Sequence, residues 1–232
     1  MGGGRRFQSD FGVFIAPNIS TDPVQGIGGW SDIELASAIT RGVGRDGEHL
    51  YPAFPYAAYN KADTQDIVDL IAHLRTLPGS ERASEAHELA FPFNLRITLG
   101  VWKALFVSTD WVLVDAPTPQ VQRGRYLVEA LGHCAECHTA RNLLGGLQKD
   151  RWLGGAVNPS GEGRIPNITS GALSWSEAAI AEYLKSGFTP DFDTAGGSMA
   201  VVVRNTALLG DADRAAIAAY VKAVPALAKE TP

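Results

Sequence analysis

Apolar residues recur every three or four positions in four stretches of the chain, which predicts four amphipathic helices. The stretches are 31–41, 63–77, 176–186 and 211–224. The first and third follow a tryptophan and end at a glycine suited to a helix C-cap, whereas prolines stop the other two. The sequence has no alternating pattern of useful length for a strand. An all-α chain with long loops is therefore predicted.

The four helices form an internal repeat, because the same short motif precedes each pair. Pro17-Asn18-Ile19-Ser20 in the first copy recurs as Pro166-Asn167-Ile168-Thr169 in the second. The repeat predicts two domains in tandem, over residues 1–90 and 118–232.

Residues 91–117 link the two predicted domains and are bounded by prolines. The apolar stretch Leu95–Leu113 is long enough to suggest a membrane span. However, it carries Arg96, Lys103 and Asp110, and charged residues are costly inside a bilayer. A buried or inter-domain segment is favoured over an amphipathic segment at a membrane surface.

Composition limits the partners of the chain. Its 232 residues carry a formal net charge of −5 and include only two cysteines. The negative charge argues against a nucleic-acid partner, which usually requires a basic surface. Because both cysteines lie in one motif, the chain has no disulfide framework.

That motif is Cys134-Ala135-Glu136-Cys137-His138. Two cysteines three residues apart, followed at once by a histidine, form the attachment signature of a c-type haem. On one helical turn both sulfurs can reach the vinyl groups of a porphyrin, and the adjacent imidazole becomes the proximal iron ligand. Two alternatives fit less well: a zinc site requires about four ligands, and a thioredoxin-like redox pair requires a strand–helix–strand setting.

The repeat indicates a sixth iron ligand. Met199 lies twelve residues after Gly187, and Phe54 lies twelve residues after Gly42 at the matching place in the first copy. A thioether is a soft ligand that suits haem iron and raises its reduction potential. Met199 is therefore the candidate distal ligand, with core packing as the alternative, whereas the ring of Phe54 cannot ligate.

Three further residues are candidates for contact with a haem in the second domain. Arg141 is suited to pair with a propionate, and Pro166 to line a face of the ring. Trp175 is suited to pack against the haem or to bond a propionate, and equally to fill the core, as is Trp30 in the first domain.

The motifs of the chain resemble those of the multihaem cytochrome c subunits of periplasmic membrane-bound dehydrogenases, which serve enzymes acting on alcohols, aldehydes and gluconate. In the second domain the matching motifs are Cys134–Thr139, Arg141–Gly146, Pro166–Thr169 and Gly197–Met199. In the first domain and the linker they are Gly26–Ser31, Gly42–Gly47 and Phe91–Arg96. The resemblance covers nearly the whole chain.

This resemblance implies two tandem cytochrome c-like domains with one low-spin haem c in the second. Cys134 and Cys137 would anchor that haem, and His138 and Met199 would ligate its iron. It also implies electron transfer, not catalysis, from a periplasmic dehydrogenase catalytic subunit to quinone or another cytochrome. The expected location is the periplasm or the periplasmic face of the inner membrane, with membrane-surface association as one option.

The chain departs from the family in its first domain. Family domains each begin with their own cysteine–histidine motif, whereas this chain starts at about the position of Gly3-Gly4 and has none there. The first domain is expected to lack its haem-attachment helix, and the chain to be N-terminally truncated relative to the family. Phe54 leaves open a dihaem enzyme of the peroxidase or thiosulfate-oxidising type. A first domain that only docks a partner is a third reading.

Overall fold

The computed structural model describes residues 1–158 and 163–228, which form two compact units. The first unit comprises Met1–Thr109 with Asn158 and Gly163, and the second comprises Asp110–Val157 with residues 164–228. Most of the regular structure in these ranges is helical, as predicted, and a few short strands accompany the helices.

Four helices form the first unit within the described residues. They are α1 (Asp32–Arg41), α2 (Tyr56–Tyr59), α3 (Thr64–Leu74) and α4 (Thr98–Phe106). α1 begins with a capping box, in which the side chains of Ser31 and Glu34 each accept a hydrogen bond from the other's backbone N–H, and it ends at Gly42 with a left-handed φ of 60°. α1 and α3 share a small core of four buried side chains: Leu35, Ile39, Ile67 and Ile71.

A three-stranded antiparallel sheet also belongs to the first unit. Its strands, in spatial order, are β1 (Arg6–Ser9), β2 (Gly12–Ile15) and β3 (Glu88–Leu89). The sequence did not predict these strands. Ile15 is their one buried residue, so the sequence lacks the alternation of buried and exposed positions that would indicate them.

Helix α4 contacts the C-terminal end of α1. The Nζ of Lys103 donates hydrogen bonds to the carbonyls of Arg41 and Gly42 at 2.9 and 2.6 Å, where the end of a helix carries partial negative charge. Leu99 is buried and Val101 is 66% exposed, so α4 buries one part of its surface and exposes another. No helix in the described part of the chain combines the length and the apolar character needed to cross a membrane.

The second unit is built around its last helix. Its elements are α5 (Pro119–Arg125), a π-helical turn (Tyr126–Leu131), α6 (Ala135–His138), a 3-10 turn (Lys149–Arg151), β4 (Ala156–Val157), β5 (Arg164–Ile165), α7 (Glu177–Ser186), α8 (Met199–Thr206) and α9 (Asp211–Ala223). α9 packs against α5 and against α7. The helices predicted over 176–186 and 211–224 are confirmed.

Helices α5 and α9 approach each other closely at Gly124. A Cβ at this position would lie 2.0 Å from the carbonyl oxygen of Ala216 and 2.7 Å from the Cβ of Tyr220. Beside the crossing, Arg123 binds both carboxylate oxygens of Asp213, at 2.8 and 3.0 Å. Glycine is therefore required at 124 for the two helices to meet at this distance.

Replacing Gly124 by alanine is expected to lower the free energy of unfolding by about 1–3 kcal/mol or more, because the new methyl group would overlap backbone atoms of α9. Urea denaturation followed by circular dichroism measures this change. Gly196→Ala is the matched control, since a Cβ there would meet nothing within 4 Å, and its midpoint should equal that of the wild type. Equal midpoints for both variants would contradict the close crossing.

Candidate functional site

The cysteine–histidine motif lies on one short helical turn that follows a break in the chain. The π-helical turn ends at Gly132, whose N–H donates to the carbonyl of Leu127 at 2.6 Å, and His133 then adopts a left-handed φ of 39°. Cys134 caps α6, and the N–H of His138 donates to the Cys134 carbonyl at 3.0 Å. π-helical turns are rare in proteins, and those that occur are often found at functional sites. One turn of helix thus presents both cysteines and the histidine.

The ring of His138 is held in one orientation. Its Nδ1 lies 2.9 Å from the carbonyl oxygen of Pro166, which can only accept a hydrogen bond, so Nδ1 carries the proton and Nε2 remains for a metal. Burial lowers the pKa of His138, against a smaller opposing effect of the Pro166 carbonyl. Pro166 thus contributes its backbone oxygen, a role distinct from the predicted lining of a haem face.

The Cys134 and Cys137 thiols both have raised pKa values. Each is free of a disulfide bond. Burial raises the pKa of Cys134 to about 11, and burial followed by the Glu136 carboxylate raises the pKa of Cys137. Catalytic redox cysteines and thiolate metal ligands have lowered pKa values, so this pair has the opposite character.

Residues 153–155 form hydrogen bonds with the end of the motif and with Thr139, the residue that follows it. Thr139 is buried, and its Oγ1 accepts a hydrogen bond from the N–H of Leu153 at 2.9 Å. The N–H of Gly155 donates to the His138 carbonyl at 2.8 Å, and the N–H of Ile168 donates to the Leu153 carbonyl at 3.0 Å. Residues 153–155 therefore connect the histidine to the segment that supplies the Pro166 carbonyl.

Arg141 and Trp175 have protein partners. Arg141 forms an ion pair with Glu136 inside the motif and donates to the Gly145 carbonyl at 2.7 Å. The ring of Trp175 lies edge-on to Tyr183 with 5.2 Å between centroids, and it packs against the core of the second unit. Contact of either residue with a propionate stays a prediction.

Met199 is the first residue of α8. Its side chain is partly buried and packs against the core of the second unit, and the preceding loop contains Gly197 with a left-handed φ of 53°. In the first unit, Phe54 lies 5.8 Å from the ring of Tyr59, and Trp30 packs on the core between α1 and α3. Ligation of iron by Met199 stays a prediction.

Comparison with known proteins assigns the family. The family model for cytochrome c matches residues 121–225. A diheme c-type cytochrome of Cereibacter sphaeroides is 57% identical over 227 residues, which are 98% of this chain and 77% of that protein. The chain belongs to the cytochrome c family.

Further relatives of this cytochrome are subunits of dehydrogenases. The fructose dehydrogenase cytochrome subunit of Gluconobacter japonicus is 36% identical over 99% of the chain. The cytochrome c subunit of alcohol dehydrogenase (quinone) from Gluconobacter oxydans is 32% identical over 97% of it. The chain spans about half the length of these two relatives, 48% and 50% respectively. Their names confirm the resemblance found in the motifs and do not favour the peroxidase or thiosulfate-oxidising alternative.

The donor set of this cytochrome fits a covalently bound haem. His138 offers its Nε2, and Cys134 and Cys137 lie on the same helical turn. The Pro166 carbonyl supplies the hydrogen bond to the second ring nitrogen that metal-binding histidines commonly have. Helix α6 thus presents the three residues of the attachment signature on one turn, and Pro166 adds the hydrogen bond to the histidine.

A buried polar network precedes the motif, and the hydropathy pattern did not reveal it. Glu129, on the π-helical turn, is 1% exposed. Its carboxylate accepts hydrogen bonds from the N–H groups of Val112 and Leu113 at 2.6 and 3.0 Å and from the Tyr220 hydroxyl at 2.7 Å. The Trp152 Nε1 donates to that hydroxyl at 2.9 Å. Burial and the carboxylate together raise the pKa of Tyr220 far above its usual range.

The one signal for this network in the sequence was a single acidic residue, Glu129, within the otherwise apolar stretch Tyr126–Leu131. An acidic residue within a helix usually marks a solvated face, and no sequence pattern identifies the distant backbone groups that satisfy Glu129.

Proposed function

We propose that this cytochrome relays electrons from a periplasmic dehydrogenase catalytic subunit to quinone or another cytochrome. The observation that carries the proposal is the turn from Cys134 to His138, in which the Pro166 carbonyl leaves one histidine nitrogen for iron. The dehydrogenase names of several relatives support the choice of electron donor.

Each residue of the site has one role in this proposal. Cys134 and Cys137 form the thioether bonds, His138 is the proximal ligand and Met199 is the distal ligand. A bound haem supplies a one-electron couple between ferric and ferrous iron. The Pro166 carbonyl keeps the His138 ring in one tautomer and orientation. If His138 and Met199 both ligate the iron, no coordination position would be left for a substrate, which suits electron transfer and not catalysis.

The proposal includes two tandem cytochrome c-like domains, residues 1–90 and 118–232, joined by the linker 91–117. Similar caps in the two copies support it, since α1 and α7 both begin at a serine that accepts a backbone hydrogen bond and both end at a left-handed glycine. The first domain has no cysteine, so one haem c is expected, in the second domain. The proposed location is the periplasm or the periplasmic face of the inner membrane, where association with the membrane surface is an option.

Replacing both Cys134 and Cys137 by alanine is expected to abolish covalent haem attachment, because no other thiol is present in the chain. Haem staining of a denaturing gel, after expression of the full chain with a haem-attachment system in the periplasm, measures this loss. Glu136→Gln is the control, since Glu136 lies between the cysteines without forming a bond to haem, and it should keep the stain. A stained double variant would overturn the assignment of the attachment site.

Electron delivery tests the function itself. The full-length holoprotein is purified with the dehydrogenase that accompanies it, and fructose, gluconate or a primary alcohol is added while the haem absorption is followed. Rapid reduction of the haem with one of these substrates is expected. The catalytic subunit that delivers the electrons is the partner dehydrogenase. Ferric haem that persists with every dehydrogenase and substrate would contradict the proposed function.

A further inference from the structure

Three seven-residue hairpins with one backbone design occur in the described residues. They are closed by isolated antiparallel bridges between their first and last residues, which are Val43 and His49, Arg141 and Leu147, and Phe188 and Thr194. In each hairpin the N–H of the second residue donates to the carbonyl of the sixth, at 2.9, 2.9 and 2.8 Å. The N–H of the fifth residue donates to the carbonyl of the second, at 3.1, 2.9 and 3.0 Å.

The fifth residue of each of the three hairpins has a left-handed backbone conformation. This residue is glycine in the first two hairpins and phenylalanine in the third. Gly47 and Gly145 both have φ of 80°, whereas Phe192 has φ of 61°. A left-handed conformation is free of steric cost for glycine and is strained for a bulky side chain. Phe192 therefore occupies the position at which the other two hairpins have glycine, the residue best suited to this turn.

The folded chain gains little in return for this strain. Phe192 is 90% exposed, so its ring is not stabilised by burial in the core. Strain that persists without a packing benefit in the protein itself points to a role in an encounter with another molecule.

The hairpin stands beside the helix that begins at Met199. Its base closes through the N–H of Ala195, which donates to the Gly187 carbonyl at 2.8 Å. A Cβ at Gly187 would lie 3.4 Å from Val203, a buried residue of α8. The base is thus packed on α8, while the tip with Phe192 extends into solvent.

The charges at the tip of the hairpin indicate which kind of partner surface is complementary to it. Asp191 and Asp193 flank Phe192, both are exposed, and the chain as a whole has a net charge of −5. An aromatic ring between two carboxylates is complementary to an apolar pocket bordered by lysine or arginine. The same charges oppose insertion into an anionic membrane.

We propose that the tip of the 188–194 hairpin is a docking contact, in which Phe192 enters a basic-rimmed apolar pocket on the partner dehydrogenase. The inference rests on the proposed function, because the partner dehydrogenase is defined by its ability to reduce this cytochrome. It adds the residue, the surface and the chemistry of the partner's pocket.

Phe192→Asn in the full-length holoprotein tests the proposal. Asparagine tolerates the left-handed conformation, so the midpoint of thermal unfolding should be unchanged or higher. The concentration of partner dehydrogenase that gives the half-maximal reduction rate should rise about tenfold or more, as expected for loss of a buried aromatic anchor. Phe192→Tyr keeps the ring and should retain most of the rate. Leu208→Asn, at a position 86% exposed, is the control and should change neither quantity.

Charge is tested separately by Asp191→Asn combined with Asp193→Asn. This variant should slow reduction at low ionic strength and weaken its dependence on salt, while reduction by ascorbate stays unchanged. Equal salt dependence in the variant and the wild type would overturn the basic-rimmed pocket.

Other results would overturn the docking contact. A lower unfolding midpoint or an altered haem spectrum in Phe192→Asn would show that the ring packs within the protein. Loss of binding to phosphatidylglycerol vesicles with unchanged dehydrogenase kinetics would assign the tip to a membrane. If the partner dehydrogenase reduces the wild type and Phe192→Asn with identical kinetics, the docking contact is refuted and the proposed function stands. If the wild type accepts no electrons from any dehydrogenase, the proposed function fails and the docking contact falls with it.

Discussion

Replacement of Met199 by alanine is expected to lower the reduction potential of the holoprotein by about 100 mV or more. Axial ligands set haem potentials over a range of about 0.8 V, and a methionine thioether stabilises the ferrous form. The same substitution should remove the charge-transfer absorption band between methionine sulfur and ferric iron. Redox titration monitored by visible spectroscopy measures both effects in one experiment.

Val201→Ala is the control for Met199, because Val201 lies on the same helix and is partly exposed. This variant should keep the band and a potential close to that of the wild type. An intact band in Met199→Ala would exclude Met199 as the ligand and return it to the role of a core residue.

Replacement of Glu129 by alanine is expected to lower the free energy of unfolding by about 3–5 kcal/mol. Three donors would lose their acceptor, namely the N–H groups of Val112 and Leu113 and the hydroxyl of Tyr220. Each buried donor left without a partner costs roughly 1–3 kcal/mol. Tyr220→Phe should cost less, about 2–3 kcal/mol, because two of the three hydrogen bonds to the carboxylate stay in place, although the buried Trp152 Nε1 also loses its acceptor. Urea denaturation of the full-length holoprotein gives these values.

A double-mutant cycle distinguishes this network from simple loss of packing. The two substitutions should be clearly non-additive, since they remove the same hydrogen bond. Glu182→Ala, on the exposed face of α7, is the matched control and should stay within about 0.5 kcal/mol of the wild type. A cost for Glu129→Ala no larger than that of Glu182→Ala would refute a buried network.

Local sequence signals predicted the elements that depend on local physics. Ser31 and Glu34 specify the start of α1, and Gly42 its end, because the groups that satisfy a helix terminus are near in sequence. The spacing of Cys134, Cys137 and His138 likewise indicates one helical turn. The short strands were missed, since few of their residues follow a simple hydrophobic period.

Residues that act through the backbone or over long separations escaped prediction. The lining of a haem face by the Pro166 ring stays a prediction, whereas the carbonyl oxygen that Pro166 contributes is a group that every residue possesses. Glu129 depends on Val112, Leu113 and Tyr220, and Tyr220 lies 91 positions away in the chain. A single sequence does not state which backbone donors will be near a given carboxylate.

The anchoring of Val112 and Leu113 by Glu129 has a consequence for the modularity of the second unit. These two residues line the same small cavity of about 100 Å³ as Val224, Pro225 and Leu227, so the first residues of the second unit lie beside the segment that follows its last helix. A unit with adjacent ends can be inserted into a host loop, or circularly permuted across a short connection, without disturbing its interior. By securing Val112 and Leu113, Glu129 thereby makes the second unit suitable for transfer between proteins.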